Sequence, residues 1–304
     1  MHDAAPESVR LKPPLKWAGG KRWQVPYLLP LWAPHRHRRL VEPFCGGLAV
    51  ALGLSPAHAL LNDANPHLIS FYEWLKRGLT IEVPLANNER QYYRHRTRFN
   101  ALLADGQSTS REAASLFYFL NRTGYNGLCR FNRSGGFNVP FGRYESIPYR
   151  RDLTDYVPVL SGWTFQSVDF EALPIASTDF VYADPPYDVN FTQYARAGFS
   201  WDDQERVARV LSKHRGPVVL VNQATPRIER LYRGFGYDVA FLDAPRRISC
   251  NGDRTPAREI IATRHMSART FRTRASSPID TMSKPAPCSA INLSSARLGL
   301  AFTE

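Results

Sequence analysis

Short apolar runs alternate with amphipathic stretches in the first part of the chain. Residues 40–44 form an apolar run that ends at a glycine pair, and a helical stretch, 48–54, follows it. A second apolar run, 57–63, ends on a carboxylate, and an Asn-Pro pair begins an amphipathic stretch over 65–77. This succession of strand, glycine turn, helix, strand and acid predicts a doubly wound α/β half that binds a nucleotide.

The pattern changes between residues 81 and 150. Residues 87–103 are helix-like and unusually basic, with aromatic side chains between the arginines, and 111–120 form another helical stretch. Residues 121–144 are rich in glycine, asparagine, arginine and aromatic side chains, which predicts loops and a hairpin around 134–136. We interpret this segment as an inserted recognition element.

The α/β pattern then resumes with a strand that breaks at a proline pair, a helix and three more strands. These elements are expected at 178–184, 202–212, 217–222, 237–242 and 259–263. Beyond His265 the sequence is rich in serine, threonine and arginine and shows little periodicity. Such a composition is typical of a disordered tail.

The composition indicates a globular protein with an excess of positive charge. Hydrophobic residues make up 43% of the 304 residues, which is enough for a sizeable core. Lys and Arg number 39 against 27 acidic residues, a formal net charge of +12. Excess positive charge favours a polyanionic partner, because each neutralised phosphate releases counterions. Charge alone fits a basic protein without a nucleic-acid role equally well.

Cysteine usage and hydropathy indicate a cytoplasmic protein. The four cysteines stand singly, with no Cys-x-x-Cys pair, which argues against a zinc knuckle and a disulfide framework. No apolar run approaches the roughly 20 residues that span a bilayer, and residues 1–11 lack the apolar stretch of a secretory signal. We expect no metal and no membrane partner.

The tetrapeptide Asp184-Pro185-Pro186-Tyr187 follows an apolar strand, at the sheet edge where ligands bind. An exocyclic aryl amine is a poor nucleophile, because its lone pair is delocalised into the ring. The Asp184 carboxylate and the Pro185 carbonyl could accept hydrogen bonds from such an amine and free the lone pair. The prolines fix the backbone, and Tyr187 offers a ring face to a flipped base. A rigid surface turn with a packed tyrosine is the alternative.

Three other segments carry weaker signals. The glycine pair at 46–47 would let a ligand approach the backbone, and Asp63 suits a ribose hydroxyl pair. Residues 16–21 offer a tryptophan and two lysines that could stack on a cofactor or hold its carboxylate. Residues 121–130 and 137–144 combine groups that suit base edges in a DNA groove. Each alone also fits a plain turn, a flexible basic arm or a solvated loop.

Taken together, these motifs resemble Dam-type DNA adenine methyltransferases. Their order also matches that family, with cofactor motifs first, then target recognition, then the catalytic tetrapeptide. The resemblance runs from about Leu15 to Thr263. The segments that carry it are 16–21, 42–44, 62–65, 121–132, 137–144 and 184–187.

The resemblance implies S-adenosylmethionine as cofactor and double-stranded DNA as partner. It places the cofactor contacts at Trp17, Lys21, Phe44, Gly46, Asp63 and Asp184. It places the catalytic adenine pocket at Asp184, Pro185, Pro186 and Tyr187. The positions that would invade the DNA stack or touch bases are Lys16, Tyr125, Asn126, Leu128, Arg130, Pro140 and Tyr144. Because this chain has the family's residues at these positions, the resemblance implies a GATC-like target.

The implied fold is α/β, a Rossmann-like seven-stranded methyltransferase domain with an inserted, mostly helical target-recognition domain. We expect a monomer that lacks a metal ion. The expected boundaries are a leader over 1–14, the catalytic domain over 15–80 and 151–265, the recognition insert over 81–150 and a disordered tail over 266–304.

The chain departs from the family's pattern at several positions. Leu48 stands where the cofactor loop often has its final glycine, and neighbouring Gly47 is expected to compensate. Thr123 replaces a common aromatic residue, and the base-capping segment 188–199 is shorter than in some relatives. Residues 246–252 resemble the family's late Arg-Arg…Ser-Asn-Gly loop.

The function expected from these features is sequence-specific methylation of the adenine amino group in DNA. Two alternatives stay open at this point. Any conjugated amine could use the tetrapeptide, so the substrate could be cytosine or RNA. The chain could also be an inactive DNA-binding relative, although the intact Asp184-Pro185-Pro186-Tyr187 argues against this.

Overall fold

A computed structural model describes residues 11–188, 199–244 and 257–266 of the chain. Seven strands form one sheet: β1 Leu40–Glu42, β2 Ala59–Asn62, β3 Trp163–Gln166, β4 Phe180–Ala183, β5 Val218–Gln223, β6 Asp238–Ala244 and β7 Ala257–Arg264. Their order in the sheet is β3-β2-β1-β4-β5-β7-β6. Neighbours from β3 to β5 pair in parallel, whereas β7 pairs antiparallel with both β5 and β6. The expected seven-stranded α/β sheet is confirmed.

Helices flank the sheet: α1 Val25–Trp32, α2 Ala49–Leu54, α3 Pro66–Lys76, α4 Glu89–Ala104, α5 Arg111–Thr123, α6 Val157–Leu160, α7 Trp201–Ser212 and α8 Pro226–Gly234. Polar side chains cap the start of the longer helices. Asn65 accepts the backbone N–H groups of His67 and Leu68 at the start of α3, and Ser200 forms a reciprocal capping box with Asp203. Such caps satisfy backbone donors that have no partner within the helix.

Four of these helices and strands were missing from the sequence-based predictions, and the four-residue helix α6 is one of them. Helix α1 contains Pro30 in its interior, and proline normally argues against a helix. Strand β3 has only four residues and lies at the edge of the sheet, and α8 is short and largely polar. The predicted hairpin around 134–136 is present as a turn with a single bridge between Phe131 and Phe137.

The strand order reverses between β1 and β4, which are neighbours in the sheet although two strands separate them in the chain. A crevice for a ligand opens at such a switch point, at the carboxyl ends of the strands. Glu42 ends β1, Asp63 follows β2 and Asp184 follows β4. The sheet topology therefore gathers these three carboxylates at one edge.

The expected recognition insert shares its core with the sheet domain. Helices α4 and α5 belong to the same buried cluster as α3 and one face of the sheet. The ring centroid of Phe117 in α5 lies 6.2 Å from that of Phe71 in α3 and 6.2 Å from that of Phe99 in α4. The boundaries of the insert at residues 81 and 150 stay a prediction.

Several expectations lie outside the described residues. They are residues 1–10 of the leader, 189–198 of the base-capping segment, the loop 246–252 and the tail from 267 onward. Within the part of the chain that the structure describes, no helix has both the length and the apolar character needed to cross a membrane.

The shared core leads to a testable expectation for unfolding. Phe117 is 1% exposed, and its replacement by alanine should lower the free energy of unfolding by about 3–5 kcal/mol. The half-buried Leu103 of α4 serves as the control site, and Leu103→Ala should lower the free energy of unfolding by less than Phe117→Ala does. Urea unfolding followed by tryptophan fluorescence and circular dichroism should give one cooperative transition. Two separate transitions would show that the insert has a core of its own.

Candidate active site

An ion pair joins the amino-terminal arm to the end of the central strand. The Lys21 ammonium lies 3.1 Å from Asp184 Oδ2, and the two side chains are only 6% and 19% exposed. Lys21 Nζ also donates to the Gly19 carbonyl at 2.8 Å. Lys21 is thus paired with Asp184, and both residues line the same cavity. Its predicted contact with a cofactor stays a prediction.

Opposing effects act on the pKa of the Asp184 carboxyl. Burial raises the pKa of its carboxyl to about 6, although the charge and hydrogen bond of Lys21 act in the opposite direction. Burial and the charge of Asp184 also raise the pKa of Glu42 well above its usual value. Burial disfavours the ionised form of both carboxyls, and each makes the other harder to ionise.

The rest of the tetrapeptide is held by one hydrogen bond and leaves polar atoms without partners. Gln204 Nε2 donates to the Pro186 carbonyl at 2.7 Å. Among the described residues, neither Asp184 Oδ1 nor the Tyr187 hydroxyl has a hydrogen-bond partner, although both atoms are buried. No described group donates to the Pro185 carbonyl. Buried polar atoms normally have a partner, so Asp184 Oδ1 is an unsatisfied acceptor in a residue that lines the cavity.

The glycine turn after β1 is fixed by Asp63 and covered by Trp17. Asp63 Oδ2 accepts the Gly46 N–H at 3.2 Å. A Cβ atom added to Gly46 would lie 2.7 Å from Trp17 Nε1, so only glycine allows the indole to lie against this turn. Leu48 itself adopts φ of 61°, the left-handed region that glycine favours. The residue at the family's final glycine position thus adopts a backbone conformation that glycine favours.

These groups line one open cavity of about 1020 Å³. The cavity is large enough for a nucleoside-sized ligand together with a flipped base. All the residues predicted to bind the cofactor and all four members of the tetrapeptide line it. These residues are Trp17, Lys21, Phe44, Gly46, Asp63, Asp184, Pro185, Pro186 and Tyr187.

Several cavity residues escaped the sequence analysis. Val168, Asp169 and Phe170 follow β3, and Phe199 and Trp201 precede and begin α7. The ring of Phe44 lies 5.5 Å from that of Phe170 and 5.6 Å from that of Phe199, centroid to centroid. Residues 168–170 were missed because β3 was not predicted, whereas Phe199 ends the segment 188–199 that was expected to cap the base. Recognition of its short Trp-x-Phe alternation would have pointed to the residues after it.

The predicted DNA-contacting residues gather around one turn beside the cavity. Lys16 directly precedes Trp17, and its Nζ lies 3.5 Å from the ring centroid of Tyr144. The backbone of Lys16 is paired with the buried Asn121 side chain by two hydrogen bonds of 2.8 Å. Tyr144 donates to the Gly124 carbonyl at 3.2 Å. The arm that covers the cofactor loop therefore also contacts the recognition segment.

The same turn presents side chains to solvent. Tyr125 is 50% exposed, and its N–H donates to the carbonyl of the exposed Pro140 at 2.9 Å. Asn126 has φ of 52°, a conformation that turns its side chain outward beside Tyr125, and the half-buried Leu128 follows. The Arg130 guanidinium donates to Asn138 Oδ1 at 2.8 Å. Arg130 lies on the neighbouring hairpin turn and not in the cluster around Gly124.

A search for metal ligands among the described residues finds no group of three or more His, Cys, Asp or Glu side chains placed to hold an ion. Among the cavity carboxylates, Asp184 is paired with Lys21, and Asp63 accepts the backbone N–H groups of Gly46 and Asn65.

Comparison with known proteins agrees with this geometry. The model of the D12 class of N6 adenine-specific DNA methyltransferases matches residues 17–240. A DNA adenine methylase of Vibrio cholerae is 39% identical over 284 residues, which cover 84% of this chain and 97% of that protein. The retron Ec67 DNA adenine methylase of Escherichia coli is 37% identical over 267 residues, with 82% and 90% covered. The DNA N-6-adenine-methyltransferase of Escherichia phage P1 is 35% identical over 257 residues, 78% of this chain and 33% of that protein.

The ion pair predicts how Asp184 titrates. Lys21→Met removes a cation that lowers the pKa of Asp184, so the carboxyl should titrate above the value of about 6 found with Lys21 present. NMR of the side-chain carboxyl carbon would measure this shift. Lys76→Met removes a lysine that donates to the Trp163 carbonyl at the other side of the sheet, and it should leave the titration unchanged. A lower pKa in Lys21→Met would contradict the assignment.

Proposed function

Because the chain belongs to the D12 class of N6 adenine-specific DNA methyltransferases, we propose that it transfers the methyl group of S-adenosylmethionine to the amino group of an adenine flipped out of duplex DNA. The observation that carries the proposal is the pair of free acceptors at Asp184 Oδ1 and the Pro185 carbonyl. They lie in the same cavity as the glycine turn and Asp63. The site is thus suited to hold an amine beside a nucleoside-like cofactor.

The cofactor side of the cavity fits a nucleoside with a charged amino-acid chain. Asp63 follows the second strand and suits the ribose hydroxyls, and burial raises its pKa while the N–H groups of Asn65 and Gly46 counteract this. Phe44 and Phe170 offer ring faces for an adenine. The Trp17 indole lies against Gly46 at the turn after β1. When bound, S-adenosylmethionine supplies a methyl group on a positively charged sulfur, which needs no metal for activation.

Asp184 and Pro185 make the target amine reactive. Both oxygen atoms accept hydrogen bonds from the two amino hydrogens and draw the nitrogen towards tetrahedral geometry, which frees its lone pair. The Gln204 amide holds the Pro186 carbonyl and so fixes the turn that aims the Pro185 carbonyl. Tyr187 stacks on the flipped base, and Lys21 holds its ammonium 4.4 Å from the Tyr187 ring centroid.

The turn around Tyr125 and the hairpin residue Arg130 recognise the DNA. Tyr125 and Asn126 project from the turn and enter the base stack, while Lys16, Leu128, Pro140 and Tyr144 surround the target site. Arg130 suits a guanine edge through its planar guanidinium. We propose a GATC-like target, an enzyme that acts as a monomer and a cytoplasmic location, with phosphate contacts from the basic insert that position it on DNA without reading sequence.

Removal of the Asp184 carboxylate tests the chemistry. Asp184→Ala should abolish formation of N6-methyladenine while duplex affinity stays near that of the unchanged protein, because the DNA contacts lie on other residues. Nucleoside analysis after incubation with labelled cofactor measures the product and also identifies methylcytosine or modified RNA. Asp179→Asn, at the other end of β4, is the matched control. Persistent methylation by Asp184→Ala would refute the mechanism.

Removal of the Arg130 guanidinium tests recognition. Arg130→Ala should relax the preference at one base pair, with a loss of discrimination of about 1–3 kcal/mol. The measurement is kcat/KM on duplexes that carry each substitution of the site in turn. Arg133→Ala, an exposed arginine in the same hairpin turn, should leave the preference intact. An unchanged base preference in Arg130→Ala would remove Arg130 from the set of base-contacting residues.

A further inference from the structure

A buried asparagine joins helix α5 to the amino-terminal arm, residues 16–21. Asn121 lies in the last turn of α5 and is 1% exposed. Its Oδ1 accepts the Lys16 N–H and its Nδ2 donates to the Lys16 carbonyl, both at 2.8 Å. Both groups of the amide therefore have partners, and both partners belong to the backbone of one residue. Asn121 does not line the cavity, so its effect on a ligand must pass through the arm.

Packing within α5 does not explain an asparagine at this position. Residues 116–120, which precede it in the helix, are all buried hydrophobic residues. Asparagine is a poorer helix former than leucine, and a buried amide is costly unless both of its groups are satisfied. The Asn121 amide pairs with the arm as a neighbouring strand would, because it exchanges both hydrogen bonds with one residue. The bridge to Lys16 is thus the physical reason for asparagine here.

Further contacts hold Lys16 against the segment that follows α5. Lys16 Nζ donates to the Arg122 carbonyl at 2.9 Å and lies 3.5 Å from the ring centroid of Tyr144. A Cβ atom added to Gly127 would lie 2.5 Å from Lys16 Cβ, so the turn after α5 packs directly on the arm. Lys16 is therefore fixed through its backbone, its Cβ atom and its ammonium group.

The arm continues from Lys16 into the cavity. The next residue is Trp17, and a Cβ atom added to Gly46 or Gly47 would lie 2.7 Å from an atom of this side chain. Lys21 at the end of the arm pairs with Asp184 at 3.1 Å. Because Trp17 directly follows Lys16, a shift of the Lys16 backbone also shifts the indole on the glycine turn.

We propose that Asn121 is a positioning residue, which fixes the arm against α5 and so presents Trp17 to the cofactor and Lys16 to DNA. The inference rests on the proposed function. A purely structural role would lower the stability of the fold and leave the ligand sites of the folded protein intact. A positioning role requires a specific loss at the arm in protein that is still folded.

Asn100 provides a matched control for Asn121. It lies on α4, where its Oδ1 accepts the Phe137 N–H at 2.8 Å and its Nδ2 donates to the Phe137 carbonyl at 3.1 Å. This is the same two-bond bridge from an asparagine to the backbone of one residue. It holds the hairpin turn and not the arm. Replacement of either asparagine by leucine removes the same bonds from the same region of the chain.

The experiment compares the affinity for S-adenosylmethionine of the full-length protein and of its Asn121→Leu and Asn100→Leu variants, by titration calorimetry. Asn121→Leu should weaken binding about tenfold, the effect expected from the loss of one or two hydrogen bonds. Asn100→Leu should stay within about twofold of the unchanged protein. Unchanged affinity in Asn121→Leu, or an equal loss in both variants, would overturn the proposal.

Hydrogen exchange tests the position of the arm without any ligand. In Asn121→Leu the Lys16 amide loses its acceptor, so exchange over residues 16–21 should become about tenfold faster. In Asn100→Leu exchange over these residues should not change, although it should rise at Phe137. Exchange at the unchanged rate over 16–21 in Asn121→Leu would contradict the positioning role.

A second variant decides the question if Asn121→Leu does not fold. Gly127→Ala places a Cβ atom against the arm, whereas Gly106→Ala meets nothing within 4 Å. Both glycines have positive φ, 63° and 71°, so the two variants share the same backbone strain. Gly127→Ala should weaken S-adenosylmethionine binding and Gly106→Ala should not. Equal affinities in these two variants would overturn the proposal.

A double-mutant cycle tests the DNA side of the arm. Lys16→Ala should weaken duplex binding, and by a smaller factor in the Asn121→Leu background, where the arm has already moved. Full additivity would contradict the presentation of Lys16 to DNA. Absence of both S-adenosylmethionine binding and N6-methyladenine with the unchanged protein would defeat the proposed function itself. An active protein whose Asn121→Leu variant binds the cofactor equally well defeats only this inference.

Discussion

The ion pair between Lys21 and Asp184 connects the arm before the first strand with the end of the central strand of the sheet. Isolated from a partner, a carboxylate at this depth would be too costly to stay ionised. With Lys21 alongside, its pKa is about 6, so the acid is mostly charged at neutral pH yet retains a buried oxygen without a partner among the described residues. The proposed acceptance of hydrogen bonds from an amine depends on this balance.

The arm that supplies Lys21 also links the two ligand sites. Trp17 lies against the glycine turn on the cofactor side, and Lys16 contacts Asn121 and Tyr144 on the DNA side. The glycine at 127 belongs to this junction, since a Cβ atom there would lie 2.5 Å from Lys16 Cβ. Six consecutive residues, 16–21, thus touch the glycine turn after β1, Asp184 and the segment proposed to recognise DNA.

Buried amides support the site. Gln204 is bound to Asn222 at the end of β5 and to the Pro186 carbonyl, and Gln24 is bound to Tyr182 and Glu259. Their hydrogen bonds satisfy groups that burial would otherwise leave unpaired. The bond from Gln204 also restricts the turn, because rotation of the Pro186 peptide would break it.

Local signals in the sequence were sufficient for the motifs and most of the elements. The apolar run before Asp184, the glycine turn after β1, the Asn-Pro start of α3 and the basic helix α4 follow from periodicity and capping, which act over a few residues. The tetrapeptide and the family followed from such local patterns too. Only the tertiary structure showed that Lys21 pairs with Asp184, that Phe170 and Phe199 pack on Phe44, and that Gln24 joins Tyr182 to Glu259. These contacts join residues far apart in the chain, and they are decided by sheet order and side-chain packing, for which a single sequence carries no local signal.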